Sequence, residues 1–178
     1  GILLVLMLVV HAHFGEALSG FFNSAFGGRN LAYLMATLSR TTLIVGMALS
    51  SMFSFRAGLF NIGGEGQLVA GGMVAALVGV YLPGWGPLVL VCGILAGMAA
   101  GAAWALLAGV MQSYLGVPLL IGSLLLNYPA AYIASYLVGH PFRDVASGLP
   151  QTFQVQAGTW LPFIPGTRLD VGIVAIIV

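Results

Sequence analysis

The chain has 178 residues, 60% of them hydrophobic and only 5% charged, with a formal net charge of +1. Soluble domains carry about 25% charged residues, so this sequence cannot clothe a water-facing surface and reads as an integral membrane protein. Its five cations are all arginines, none in a run, which excludes a nucleic-acid footprint, and its single cysteine, Cys92, excludes an intrachain disulfide.

A bilayer core about 30 Å thick takes roughly 20 apolar residues of helix. Residues 1–10 are apolar but lack the basic start and cleavage site of a signal peptide, and read as the truncated end of a span. Segments 41–55 and 68–82 are short, 87–111 is long, 119–139 has a good length, and 170–178 is cut off. The pattern predicts an all-α, polytopic helical bundle. It is a single transmembrane domain over residues 1–178 with five or six spans, forming the N-terminal part of a longer protein.

The two short segments flank FRAGLFNIGGEGQLVAGG, residues 55–72. Here Arg56, Asn61, Glu65 and Gln67 gather around Gly63, Gly64 and Gly66. Short, glycine-interrupted apolar segments point to broken helices in transporters. An acid near the bilayer centre costs about 2.5–3.5 kcal/mol even on lenient scales. Glu65 therefore calls for water, Arg56 or free backbone N–H groups as company. Two readings stand side by side: a charged turn at the membrane surface, capped by Asn61, or part of a solute path or gate.

Further along, YLPGWGP (residues 81–87) and YLGVP (residues 114–118) read as tight turns, the first with aromatics suited to a membrane interface. Gly93, Gly97 and Gly101 recur every fourth residue, with Ala105 and Gly109 continuing the stripe and Gly71, Ala75 and Gly79 forming a weaker copy. In lipid such stripes let helix backbones approach closely.

In LIGSLLLNYPAAYIASYLVGHPFRD, Ser123 and Asn127 share one helix face, while Tyr128, Tyr132, Ser135 and Tyr136 form another polar stripe. Pro129 removes an N–H, frees a carbonyl near Leu125 and predicts a kink. These groups either line a path for a neutral polar solute with a flat ring or hydrogen-bond between helices at about 0.6 kcal/mol per contact. Residues 140–168 hold four of the eight prolines and form the one stretch long enough for an extramembrane surface. Arg29, Arg40, Arg143 and Arg168 fall on one side by alternation and Arg56 on the other. Counted naively, the positive-inside rule makes that loop cytoplasmic.

His11, His13 and His140 do not form a metal set, and no phosphate-binding glycine loop or nucleophile constellation is present in the sequence. No cofactor is expected in this chain.

The stretch FRAGLFNIGGEGQLVAGG resembles the signature of one ABC-importer permease family, the bacterial simple-sugar and nucleoside uptake permeases related to ribose-type permeases. Their usual form reads close to FRAGLFNIGAEGQ. LLLNYPAAYIASYLVGHPFRDVASGLPQT is similar to the family's LNYIA…YL…GPFRD…GLPQ, and FIPGTRLDVG to its LLPGTRLHLG. The resemblance covers residues 43–178.

It implies a subunit without bond chemistry that moves nucleosides or simple sugars across the bacterial inner membrane. It implies three partners besides the lipid bilayer and no nucleic acid: a cytoplasmic ATPase that binds the ATP and Mg, a paralogous second permease and an extracytoplasmic substrate-binding lipoprotein. It also implies that loop 140–168 is extracytoplasmic, with Arg143 and Asp144 at the docking face. Residues 56–67 then lie towards the cytoplasm or within the membrane, the reverse of the arginine count. Asn61, Glu65, Gln67, Ser123, Asn127 and Tyr128 are the expected path residues, with Tyr128 stacking on the solute. Where the family reads GVNEVI, this chain has GVPLLIG (residues 116–122), and Gln112 and Ser113 stand where basic residues are usual. The ATPase-coupling segment is expected beyond Val178. The competing readings are an ion-coupled secondary transporter with Glu65 as the cation or proton site, and a membrane assembly protein without transport.

Overall fold

The computed structural model describes residues 14–26, 31–156, 158–164 and 172. The expected truncated span at 1–10 lies outside them, as does all of 170–178 except residue 172. Five helices follow in order: α1 (Phe14–Phe26), α2 (Leu31–Arg56), α3 (Gly64–Tyr81), α4 (Gly86–Leu115) and α5 (Leu119–Gly139), then a 3-10 turn at Val145–Ser147. The described residues contain no strand, and the protein is helical as its composition predicts. Among the described residues three helical stretches are long and apolar enough to cross a membrane: Tyr33–Arg56, Gly86–Leu115 and Leu119–Gly139.

α2 is a helix of 26 residues, not the short segment that hydropathy suggests. Its first half carries Thr37, Ser39, Arg40, Thr41 and Thr42, which depress the apolar signal. The helix absorbs them locally. The Thr41 and Thr42 hydroxyls donate to the carbonyls of Thr37 and Leu38, both at 2.9 Å, so neither needs water. Its far end is a Schellman stop: Leu59 N–H bonds the Ser54 carbonyl and Gly58 N–H bonds that of Phe55, with Gly58 at φ +73°.

α3 begins at Gly64, four residues before the expected start, so Glu65 and Gln67 stand in its first turn. α4 runs 30 residues with Pro87 in its first turn and closes on Gly116 at φ +68°. α5 has the expected bounds and stays helical through Pro129.

The chain forms two units, residues 46–161 and residues 1–45 with 162–178. In the larger unit α3 packs along α4 on the glycine stripe. A Cβ built on Gly71 would stand 2.7 Å from the Gly97 carbonyl oxygen, and one on Gly97 would stand 2.9 Å from that of Gly71. Gly101 lies against the Gln67 carbonyl and Gly93 against that of Ala75. Dispersion between backbones, with no side chain in the way, is what holds such pairs in lipid. α5 packs across both helices. Outward residues such as Leu95, Met98 and Leu106 are exposed, as suits a protein whose solvent is hydrocarbon. The smaller unit contains α1 and the first part of α2, and on α1 the rings of Phe22 and Phe26 stack at 6.1 Å.

Candidate functional site

The polar groups of the larger unit meet where the chain leaves α2 and enters α3. The N-cap Gly63 has no side chain to satisfy the first N–H groups of α3, which an α-helix always leaves without intrahelical partners. Two other elements supply the acceptors. Asn61 Oδ1 accepts the Gly63 N–H at 2.9 Å, closing an Asx turn. From α5, Asn127 Oδ1 accepts the Gly66 N–H at 2.9 Å. The Ser123 hydroxyl accepts the Ile62 N–H at 3.1 Å and donates to the Leu120 carbonyl at 3.3 Å. Asn127 Nδ2 reaches the Ile62 carbonyl at 3.5 Å, and Gln67 Nε2 reaches Asn61 Oδ1 at 3.4 Å. Ser123 is 1% exposed, so its bonds are made out of contact with water, where an unmade bond is most costly.

Two of the three glycines are there for closeness. A Cβ on Gly66 would lie 2.9 Å from Asn127 Oδ1 and 3.0 Å from Trp104 Nε1, and one on Gly63 would lie 3.1 Å from the Ser123 Cβ and carbonyl oxygen. Gly64 has ordinary room against Met47, at 3.6 Å. Trp104, on α4, donates its indole N–H to the Leu126 carbonyl at 3.3 Å. That carbonyl is the neighbour of the one Pro129 leaves free, so the tryptophan engages α5 just where the proline interrupts its ladder.

The expected path residues therefore divide. Asn61, Gln67, Ser123 and Asn127 come together in one hydrogen-bonded cluster. Ser123 and Asn127 direct their acceptors at the backbone of the turn and hold it in place. Glu65 is exposed in the first turn of α3, and among the described residues it forms no ion pair with Arg56, which is exposed at the end of α2. Tyr128 is 64% exposed. Sequence reasoning missed Trp104. Its signal was the one large side chain set in AGAAWALLAG, a run of small residues that otherwise marks close packing.

Beside the cluster lies an open cavity of about 710 Å³, lined by Ser54, Asn61, Gln112 and Ser113 together with apolar residues of α4 and the turn. Its walls carry amide and hydroxyl groups and no formal charge. A second cavity of about 380 Å³, between α3, α4 and α5, is almost wholly apolar, lined by residues such as Met73, Leu107 and Ile133. Among the described residues no cluster of His, Cys, Asp or Glu has the makings of a metal site.

Residues 140–156 fold back on the end of α3. The Gln156 side chain donates to the carbonyls of Val80 and Leu82 at 3.2 and 3.0 Å, and its backbone N–H to that of Gly79 at 3.2 Å. These include carbonyls that a helix C-terminus leaves without partners. Phe142 lies on Tyr81 with ring centroids 5.6 Å apart. Asp144 caps the 3-10 turn, its Oδ1 accepting the Ala146 N–H at 3.1 Å, while Arg143 is exposed and bridges to Thr152.

Residues 33–177 match the family described as the permease component of branched-chain amino acid transport systems. The chain belongs to this permease family. Three relatives are similar to it. It is 30% identical to the guanosine ABC transporter permease protein of Bacillus subtilis over 140 residues, 79% of this chain and 40% of that protein. It is 33% identical to the glucose ABC transporter permease protein of Haloferax volcanii over 135 residues, 75% of this chain and 35% of that one. It is 29% identical to the probable riboflavin import permease protein of Treponema pallidum over 174 residues, 91% of this chain and 44% of that one. The chain thus spans less than half the length of the curated relatives it matches. No solved structure matches it. The resemblance carried by FRAGLFNIGGEGQLVAGG holds, and this permease-family chain is a multi-pass membrane protein.

Proposed function

We propose that the chain is part of the transmembrane subunit of an ATP-driven importer that carries nucleosides or simple sugars across the bacterial plasma membrane. The observation that carries this reading is the pinned turn 59–66 beside an uncharged cavity faced by Asn61, Ser54, Gln112 and Ser113. Amides and hydroxyls without formal charge suit a neutral solute rich in hydroxyls or base edges, where each unpaired polar group would weigh against the wrong ligand. The names of two relatives, a guanosine permease and a glucose permease, point to the same solute class.

In this reading Asn61, Gln67 and Glu65 border the path, and Ser123 and Asn127 serve it by fixing the turn. Tyr128 offers a ring to a flat solute. A separate ATPase chain binds ATP and Mg, a paralogous permease completes the pair, and a substrate-binding lipoprotein docks on extracytoplasmic loop 140–168 at Arg143 and Asp144.

The test is uptake of labelled nucleosides and sugars by cells carrying the full-length permease with its neighbouring ATPase and binding protein. Uptake of one such solute, abolished by a hydrolysis-dead ATPase and reduced by Asn61→Ala, is the expected result. Uptake that persists without the ATPase and follows the proton gradient overturns it in favour of an ion-coupled carrier.

A further inference from the structure

We propose that α1 lies flat in the bilayer interface, with its phenylalanine face at the boundary between headgroups and acyl chains. Thirteen residues at 1.5 Å each make a helix about 20 Å long, too short for a hydrocarbon core of about 30 Å. Yet one side of it is strongly apolar. Leu18, Phe22 and Phe26 are spaced by four and Phe21 sits beside them; they are 44%, 51%, 65% and 68% exposed. Glu16, Gly20 and Asn23 fall on the opposite arc, and Ser19 sits at the edge beside Phe26. An amphipathic helix normally turns such a stripe to a core, whereas here no described residue covers it. The rings already form one surface, Phe22 stacking on Phe26 and meeting Phe21 edge-on at 5.8 Å.

The occupant follows from where the helix is tied. Five residue steps separate Phe26 from Leu31, a reach of at most about 18 Å. Leu31 opens α2, whose Tyr33–Arg56 stretch is long and apolar enough to span. The aromatic end of α1 is therefore kept within about 18 Å of the point where a membrane helix begins, and the partner always present there is lipid. α1 carries no Lys or Arg, so its hold on the interface rests on apolar burial and not on attraction to anionic headgroups. The inference needs only that the chain is a membrane protein and is independent of which solute it moves.

The experiment uses the full-length permease in lipid nanodiscs, with Cys92→Ala and replacement of any cysteine outside residues 1–178 as background, and single spin labels at Leu18→Cys, Phe22→Cys, Phe26→Cys, Gly20→Cys and Asn23→Cys. Collision with oxygen and with a water-soluble nickel chelate reports immersion. Labels at 18, 22 and 26 should favour oxygen at one common depth, those at 20 and 23 should favour nickel, and replacing anionic lipid with neutral lipid should change neither. Exclusion of both reagents from 18, 22 and 26 means that protein covers the face, nickel access at those sites means that it lies in water, and depth rising steadily from 18 to 26 means that the helix inserts; each overturns the proposal. Phe22→Trp, which keeps the aromatic face, supplies a second measurement. Its added fluorescence should be quenched more by lipids brominated near the headgroup than near the chain ends, and the reverse order also overturns the proposal.

Discussion

Asn127 accepts the backbone N–H of Gly66 at 2.9 Å, so a residue within α5 caps the start of a helix 61 positions earlier in the chain. A cap borrowed from another helix ties secondary structure to tertiary packing, because α3 has its proper beginning only when α5 is in place. Asn127→Leu should leave that N–H without a partner, at about 1–3 kcal/mol. Asn127→Asp keeps the acceptor and places an anion at the positive end of a helix. Thermal melts of the purified full-length permease should show a clear loss for Leu and a smaller one for Asp. Equal losses would mean that the oxygen is not what matters.

The glycines of the turn separate by the space around them. Gly66→Ala drives a methyl to 2.9 Å from Asn127 Oδ1 and 3.0 Å from Trp104 Nε1, an overpacking of the kind that costs about 1–3 kcal/mol. Gly72→Ala, on the same helix, meets nothing within 4 Å and should be neutral or gain up to about 1 kcal/mol of helix propensity. Melting temperatures of the two variants should move in opposite directions or differ by that margin.

Glu65 is exposed and has no ion pair with Arg56 among the described residues. Its contribution to stability is the favourable place of an acid in a first helical turn, about 0.3–1 kcal/mol. Glu65→Gln should therefore barely alter the melting temperature. A double-mutant cycle with Arg56→Gln should show no coupling, and a coupling above about 0.5 kcal/mol would show the two charges to be linked after all.

Gln156 fastens the segment after α5 to the end of α3 through two side-chain bonds. Gln156→Leu removes both, at about 1 kcal/mol each, and leaves the carbonyls of Val80 and Leu82 to water. Hydrogen exchange and limited proteolysis should speed up across residues 152–156 while α4 is unchanged. Unaltered protection there would mean that Val155 against Gly79 suffices to hold the segment.

Much of this arrangement is legible in the residues, and the parts that are not have physical reasons. α5 shows its true bounds because Pro118 and His140 close a continuous apolar run. The Gly71 and Gly97 contact announces itself through four-residue spacing. The full length of α2 does not, because hydropathy counts Thr41 and Thr42 as polar while the helix has already bonded their hydroxyls. The amides and hydroxyls around Gly66 were visible as scarce polar groups. Whether Ser123 and Asn127 face a solute or a backbone depends on helix rotation and contacts across 61 residues, which no local pattern encodes. The amphipathic face of α1 escaped a search tuned to 20-residue spans.

Where α3 crosses α4, the Gly71 and Gly97 backbones touch with no room for a methyl group between them. Helices separated by side chains slide past one another by exchanging rotamers; two bare backbones have none to exchange. The pair therefore behaves as a welded strut with joints at its ends. Gly58 and Gly116, each held at positive φ, mark two such joints.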